Sequence, residues 1–204
     1  NKLFLDDLFH FLDIEDDMSQ REKAAGIISF NSLDVENLTF TYPGTGTPAL
    51  ANINLTITRG EKVAIVGPNG SGKTTLAKLL CRLYDPDSGK ISLDGKSIDT
   101  YDLNEYRKLF SVVFQDFMLY FLTAGDNIRL ADNTGSDNQE RLRRAASAAG
   151  VSALLESLPQ GYETMLGHQT GGSRELSWGE WQKIAIARAL YRDSPVLILD
   201  EPSS

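Results

Sequence analysis

Cysteine is almost absent: Cys81 is the one thiol in 204 residues, so no internal disulfide framework can form, and the chain suits a reducing compartment. Basic residues are in deficit, with 20 Lys and Arg against 28 Asp and Glu for a net charge of −8. That argues against a partner such as nucleic acid wrapped on a broad basic surface. It leaves small phosphorylated ligands open, because a helix N-terminus and one lysine suffice to hold them. No apolar run reaches the length of a membrane span, and there is neither an internal repeat nor a low-complexity tract. What is present is ordinary globular composition, 41% hydrophobic and 24% charged, in a chain long enough for one substantial domain. A chain this size buries roughly 70% of its unfolded surface and needs no disulfide or metal staple. It starts at Asn1 and stops at Ser204 directly after a hydrophobic strand, which reads as a piece of something longer.

Residues 2–13 place Leu3, Leu5, Leu8, Phe9, Phe11 and Leu12 at mixed three- and four-residue spacing, the pattern of an amphipathic helix. The acidic and polar stretch 13–23 reads as a solvated linker. From Ser32, alternation of Leu33, Val35, Leu38, Phe40 and Tyr42 predicts a strand closed by Pro43-Gly44, and Ile53, Leu55 and Ile57 predict a second. The run 62–66 is apolar at its end, which predicts a strand buried on both faces of a parallel sheet. Helices are expected over 73–83, 137–157 and 179–191, with short strands at 91–93, 112–114 and 196–199. Strands alternate with helices, and helices concentrate between about 120 and 193. The fold class is α/β with a helical insertion.

Gly67-Pro68-Asn69-Gly70-Ser71-Gly72-Lys73-Thr74 matches G-x-x-x-x-G-K-[ST] in full, following an apolar run and opening an amphipathic helix as the chemistry requires. Glycines let the backbone close around phosphate and aim N–H groups inward. Lys73 is expected to reach β- and γ-phosphates, and Thr74 to ligate Mg²⁺, with Thr75 among the nucleotide contacts. Val196-Leu197-Ile198-Leu199-Asp200-Glu201 is an apolar strand ending in two acids. It is expected to set Asp200 near the metal and Glu201 where it can polarise an attacking water.

Residues 174–190 contain Leu176-Ser177-Trp178-Gly179-Glu180 followed by a basic, alanine-rich helix. This segment resembles the signature of ABC-type ATPases, whose usual core is L-S-G-G-Q. Further positions fall in the same order: Tyr42 resembles the aromatic that stacks on adenine, Gln115 the glutamine linking the metal site to a transmembrane partner, and residues 164–167 the stretch before the signature in exporters. Singly, such a tyrosine ordinarily packs and such a glutamine ordinarily lies on the surface; their order within the full set singles them out. The resemblance implies a P-loop NTPase (RecA-like) core with an antiparallel β subdomain and a helical subdomain at about 116–190. It implies ATP and Mg²⁺ as cofactors, Glu201 and Lys73 as catalytic residues, and Thr74, Gln115 and Asp200 at the metal. Residues 1–31 would lead from a transmembrane domain of the same chain, at the cytoplasmic face of a cell membrane. Residues 32–204 would be the ATP-binding domain, truncated at its C-terminus before the family's switch histidine, which neither His10 nor His168 replaces by position.

In such dimers Ser177 and the Gly179 N–H would contact the γ-phosphate held by a second ATP-binding domain, of the same or a different chain. Trp178 and Glu180 depart from the usual residues. Either they slow the site that this signature completes, or the chain pairs with a different partner that supplies a consensus signature, or Trp178 points away and packs, leaving activity normal. Arg141, Arg143 and Arg144 read as a solvated helix face. A soluble ABC ATPase without transport, and a regulatory module that clamps ATP without turnover, remain as alternatives to a transport motor.

Overall fold

A computed structural model describes residues 29–132, 138–167 and 175–201. The expected helix at 2–13, the linker after it, and both histidines lie outside the described residues. Strand β1 (Ser32–Phe40) turns Leu33, Val35, Leu38 and Phe40 inward, and it is the centre of an antiparallel sheet. On one side Leu33 and Val35 face Ile57 and Leu55 of β2 (Leu50–Thr58). On the other they face Leu93 and Ile91 of β3 (Ser88–Leu93), which β4 (Lys96–Ser97) follows to give the order β2-β1-β3-β4. The register shifts beyond Glu36, where Asn37 adopts φ 50° and its N–H donates to Asn54 Oδ1 at 2.9 Å. Gly89 lies against that irregularity at φ +84°, and a Cβ there would stand 2.5 Å from the carbonyl oxygens of Glu36 and Asn37. Only glycine fits.

Helix α1 (Lys73–Leu80) packs Leu76, Leu79 and Leu80 into the core shared with this sheet. It ends short of residue 83 because Arg82 turns left-handed at φ 52°, and Leu83 is half exposed. The last carbonyls of a helix need outside donors. Here α2 (Leu103–Arg107) supplies them: Tyr106 Oη donates to Leu80 O at 2.7 Å and Arg107 Nη2 to Arg82 O at 2.7 Å. The helix that opens at the phosphate loop is thereby fixed at its far end.

Strand β5 (Phe110–Val113) pairs in parallel with β6 (Val196–Leu199), Phe110 opposite Val196 and Val113 opposite Leu199. A parallel pair needs a long crossover, and the helices between fill it: α3 (Ala124–Arg129), α4 (Gln139–Ala148), α5 (Ser152–Ser157) and α6 (Trp178–Arg192). Ile128, Leu142, Ala146, Leu155, Ile184 and Tyr191 form their own core. The stretch expected as one helix over 137–157 divides at Gly150, which sits at φ 67°. Helix α6 reaches β5 through Ala185 and Ala189 against Val113. Arg188 bolts the same helix to α3 and to the loop before it, donating through Nε to Asn127 O at 2.7 Å and through Nη1 to Met118 O at 3.3 Å.

Two further expectations are corrected. Residues 62–66 form no strand, and Val63, Ile65 and Val66 are exposed at 41%, 46% and 89%. A strand needs a neighbour for its N–H and C=O groups, and among the described residues the parallel edge is occupied by β5 with β6 alone. Strand β6 is accordingly covered on one face, with Leu197 and Leu199 exposed on the other. Arg141 is not part of a solvated face: its Nη1 binds Asp132 Oδ2 at 2.6 Å, and its guanidinium lies 4.4 Å over the Tyr191 ring. Arg143 and Arg144 are exposed as expected.

Cys81 sits in the first core, and burial pushes its thiol from 9.0 up to about 12. The thiolate is the reactive form, so native protein is expected to resist iodoacetamide at mildly alkaline pH and to react once unfolded. Because the folded value exceeds the unfolded one, the unfolded chain loses this proton first as pH rises. Stability should therefore fall as pH climbs from about 9 towards 12, and the Cys81→Ala variant should show a weaker alkaline loss in denaturant titrations.

Candidate functional site

The phosphate loop runs directly into α1. Gly72 is the residue before the helix, at φ 89°, and a Cβ there would meet Leu50 Cδ2 at 2.5 Å and Ala49 O at 2.7 Å. Glycine is thus required both by the left-handed turn and by the close passage of β2. Gly67, Pro68, Asn69, Gly70 and Ser71 lie in the exposed loop before it, where Ser71 N donates to Pro68 O at 3.1 Å. Lys73 folds back over the loop, its Nζ donating to Gly67 O at 3.0 Å and Pro68 O at 3.1 Å. An ammonium and the positive end of a helix therefore occupy the same small concavity.

The acidic strand end meets the first turn of that helix. Thr74 Oγ1 donates to Asp200 Oδ2 at 2.6 Å, joining residues 126 apart in sequence. The carboxylate is held in place by its backbone, since Asp200 N donates to Val113 O at 2.9 Å. Gln115, two residues beyond Val113, lies exposed at the same end of the parallel pair. Glu201 follows in the left-handed region at φ 50° with an exposed side chain. A hydroxyl, a carboxylate and a side-chain amide are hard oxygen donors, suited to a magnesium ion that shares its shell with phosphate and water. No group of three or more His, Cys, Asp or Glu among the described residues could form an all-protein metal cage.

Tyr42 lies just past β1, with its ring edge-on to Phe40 at 5.0 Å and Tyr84 at 5.4 Å between centroids. Its hydroxyl is 3.2 Å from Thr75 Oγ1, so this aromatic is tied to the phosphate-loop helix.

The signature segment stands at the start of α6. Ser177 is the residue before the helix and forms a capping box with Glu180. Glu180 Oε2 accepts from Ser177 N at 2.8 Å and from Ser177 Oγ at 2.9 Å. Glutamate at this position is a helix-start device, so Glu180 turns back on its own helix. Trp178 lies with its ring 4.6 Å from that of Phe117 at an interplanar angle of 30°, and it is half exposed. Of the two alternatives for Trp178, this contact favours packing. Gly179 is exposed with open space around its Cα. An aromatic pair is worth about 0.5–1.5 kcal/mol. A double-mutant cycle of Trp178→Ala and Phe117→Ala, read by denaturant unfolding, is expected to return a coupling of that size, and strict additivity would contradict the contact.

The structure thus joins Thr74 to Asp200 and Tyr42 to Thr75. The signature residues Ser177 and Gly179 stand on a separate element, with no direct contact to the phosphate loop among the described residues. Reading the sequence alone misses Gln182. It is buried on α6 and donates through Nε2 to Glu201 O at 3.2 Å. The available signal is a neutral polar residue inside an otherwise apolar helix face.

Residues 50–204 match the ABC transporter family model. Over all 204 residues the chain is 36% identical to the subtilin transport ATP-binding protein SpaT of Bacillus subtilis, covering 33% of that protein. It is 42% identical over 197 residues to an ATP-dependent lipid A-core flippase of Vibrio cholerae, covering 97% of this chain and again 33% of the relative. A solved structure described as a bacterial Atm1-family ABC exporter with ATP bound superimposes with a TM-score of 0.85 at 33% identity, over 97% of this chain and 34% of that one. The chain therefore spans about a third of the length of the relatives it matches. The phosphate loop, the acidic strand end and the signature helix all fall within the matched residues, and the chain belongs to the ABC transporter family.

Proposed function

We propose that this chain is the ATP-hydrolysing motor of an exporter whose membrane domain lies on the same polypeptide. Residues 32–204 would form the ATP-binding unit, with its helical part at about 116–190, and residues 1–31 the link to the membrane domain, at its cytoplasmic face. The observation that carries this reading is the 2.6 Å bond from Thr74 to Asp200, which sets a hydroxyl and a carboxylate beside a lysine and a helix N-terminus. The names of the relatives, a lipid A-core flippase and a subtilin transport protein, support export.

The chemistry follows from the residues. Loop N–H groups, the start of α1 and Lys73 hold the β- and γ-phosphates and offset the charge that develops there. Tyr42 would stack on the adenine. Thr74 and Asp200 would hold Mg²⁺, with Gln115 at the same edge; when bound, the ion supplies positive charge to the phosphate oxygens. Glu201 accepts the proton of the attacking water, turning it into a nucleophile in line with the leaving oxygen. Ser177 and the Gly179 N–H would reach the γ-phosphate held by a second ATP-binding domain, the Ser177 hydroxyl exchanging Glu180 for phosphate as its acceptor.

Fractionation of cells expressing the full-length protein tests the transport reading. Magnesium-dependent ATP hydrolysis should follow the protein into the membrane fraction. Hydrolysis confined to the soluble fraction would instead identify a soluble ABC ATPase, and tight ATP binding with no turnover in either fraction would identify a regulatory clamp.

A further inference from the structure

We propose that Gln182 is a positioning residue for Glu201, holding the main chain of that acid from the signature helix. The inference rests on the reading of Glu201 as the base that faces the attacking water. Glu201 stands two residues beyond the end of the parallel strand, where the backbone turns left-handed at φ 50°. A non-glycine residue stays in that region only where its surroundings hold it there. One side of the turn is held, since Asp200 N donates to Val113 O at 2.9 Å. On the other side Gln182 Nε2 donates to Glu201 O at 3.2 Å. Gln182 is itself 8% exposed, so its amide is confined by packing and presents a donor of set direction.

The same helix face has a second anchor. Trp178 is one turn before Gln182, at i and i+4, and residues so spaced project from one side of a helix. Trp178 lies on Phe117, two residues beyond Gln115. The first two turns of α6 therefore touch both segments that approach the metal edge, one through a ring and one through a carbonyl. A shift or rotation of the signature helix would move the Glu201 carbonyl with it. The position of the acid is in this way tied to the helix that carries Ser177.

The test uses the full-length protein in membranes, with Gln182→Met and Gln182→Glu as variants that keep the side-chain length and lose the donor. Small displacements of a catalytic group are costly, so kcat for ATP is expected to fall about tenfold or more. KM for ATP and the thermal midpoint should stay where they are. Gln182→Lys, which keeps an N–H donor of similar reach, should recover most of the rate. In a Glu201→Gln background Gln182→Met should change the residual turnover no further, because the base it positions is already gone. Wild-type kcat in both donorless variants, while Glu201→Gln abolishes turnover, would overturn this inference alone. A rise in KM matching the fall in kcat, or an equal further loss in the Glu201→Gln background, would show a merely structural role and overturn it as well. Full turnover in Glu201→Gln would overturn the reading of Glu201 on which it stands.

Discussion

Replacing Glu201 by glutamine in the full-length protein is expected to reduce ATP turnover by about 10²–10⁴-fold while leaving ATP affinity nearly unchanged, the range ordinary for removing a positioned general base. The substitution keeps shape and removes only the capacity to take a proton. Among the described residues Glu201 makes no hydrogen bond to the phosphate loop: its side chain is exposed, and its main-chain carbonyl accepts from Gln182. Binding should therefore survive, and the nucleotide-bound state should accumulate because its exit by hydrolysis is closed. Fluorescent ATP-analogue titration and single-turnover phosphate release separate these two quantities. Loss of affinity equal to the loss of turnover would assign Glu201 to binding and remove it from the base position.

Lys73→Ala should do the opposite, weakening ATP binding by about 10–100-fold, as expected for a charge-assisted contact of about 1.5–3 kcal/mol, and lowering turnover further. Lys73 is the cation that caps the loop, and its Nζ also holds the carbonyls of Gly67 and Pro68. Two effects therefore combine: the phosphates lose a counter-charge, and two loop carbonyls lose a donor that helps hold the loop closed. Arginine is a poor replacement, because its planar fork cannot reproduce a compact point charge in this concavity. Lys73→Arg is expected to bind closer to the alanine variant than to the parent in the same titration. Wild-type affinity in Lys73→Ala would place the phosphates elsewhere.

The two variants probe halves of a site that are legible in the sequence to different degrees. The loop at 67–74 is a contiguous motif whose residue types answer to local chemistry, and the structure has it open a helix as its pattern requires, although the run before it forms no strand. The pairing of Thr74 with Asp200 is a tertiary fact, yet it follows from a simple topological rule, that the C-terminal ends of parallel strands meet the starts of the next helices. Less was visible at 62–66. Its apolar run signals burial, but periodicity does not name a partner strand, and the segment stays outside the β5–β6 ladder. Arg141 reads as surface because its neighbours in sequence are charged, whereas Asp132 and Tyr191 come to it from elsewhere in the fold. Ser177 and Glu180 stand at the spacing of a capping box, so a helix start could be read there directly. That signal explains the acid in the signature as a cap on α6. Gln182 is the hardest to see, because its value depends on where the fold places one carbonyl nineteen residues later, just beyond a strand end.

The proposal that the phosphate loop and the acidic strand end make one centre for hydrolysis is tested most directly by steady-state phosphate release from the full-length protein, purified with its membrane domain and supplied with ATP and magnesium. The account predicts sustained release that stops on chelation of magnesium, that is nearly abolished in Glu201→Gln, and that is sharply weakened in Lys73→Ala. Release that continues unchanged in both variants, or saturable ATP binding with no release by the parent protein, would contradict it.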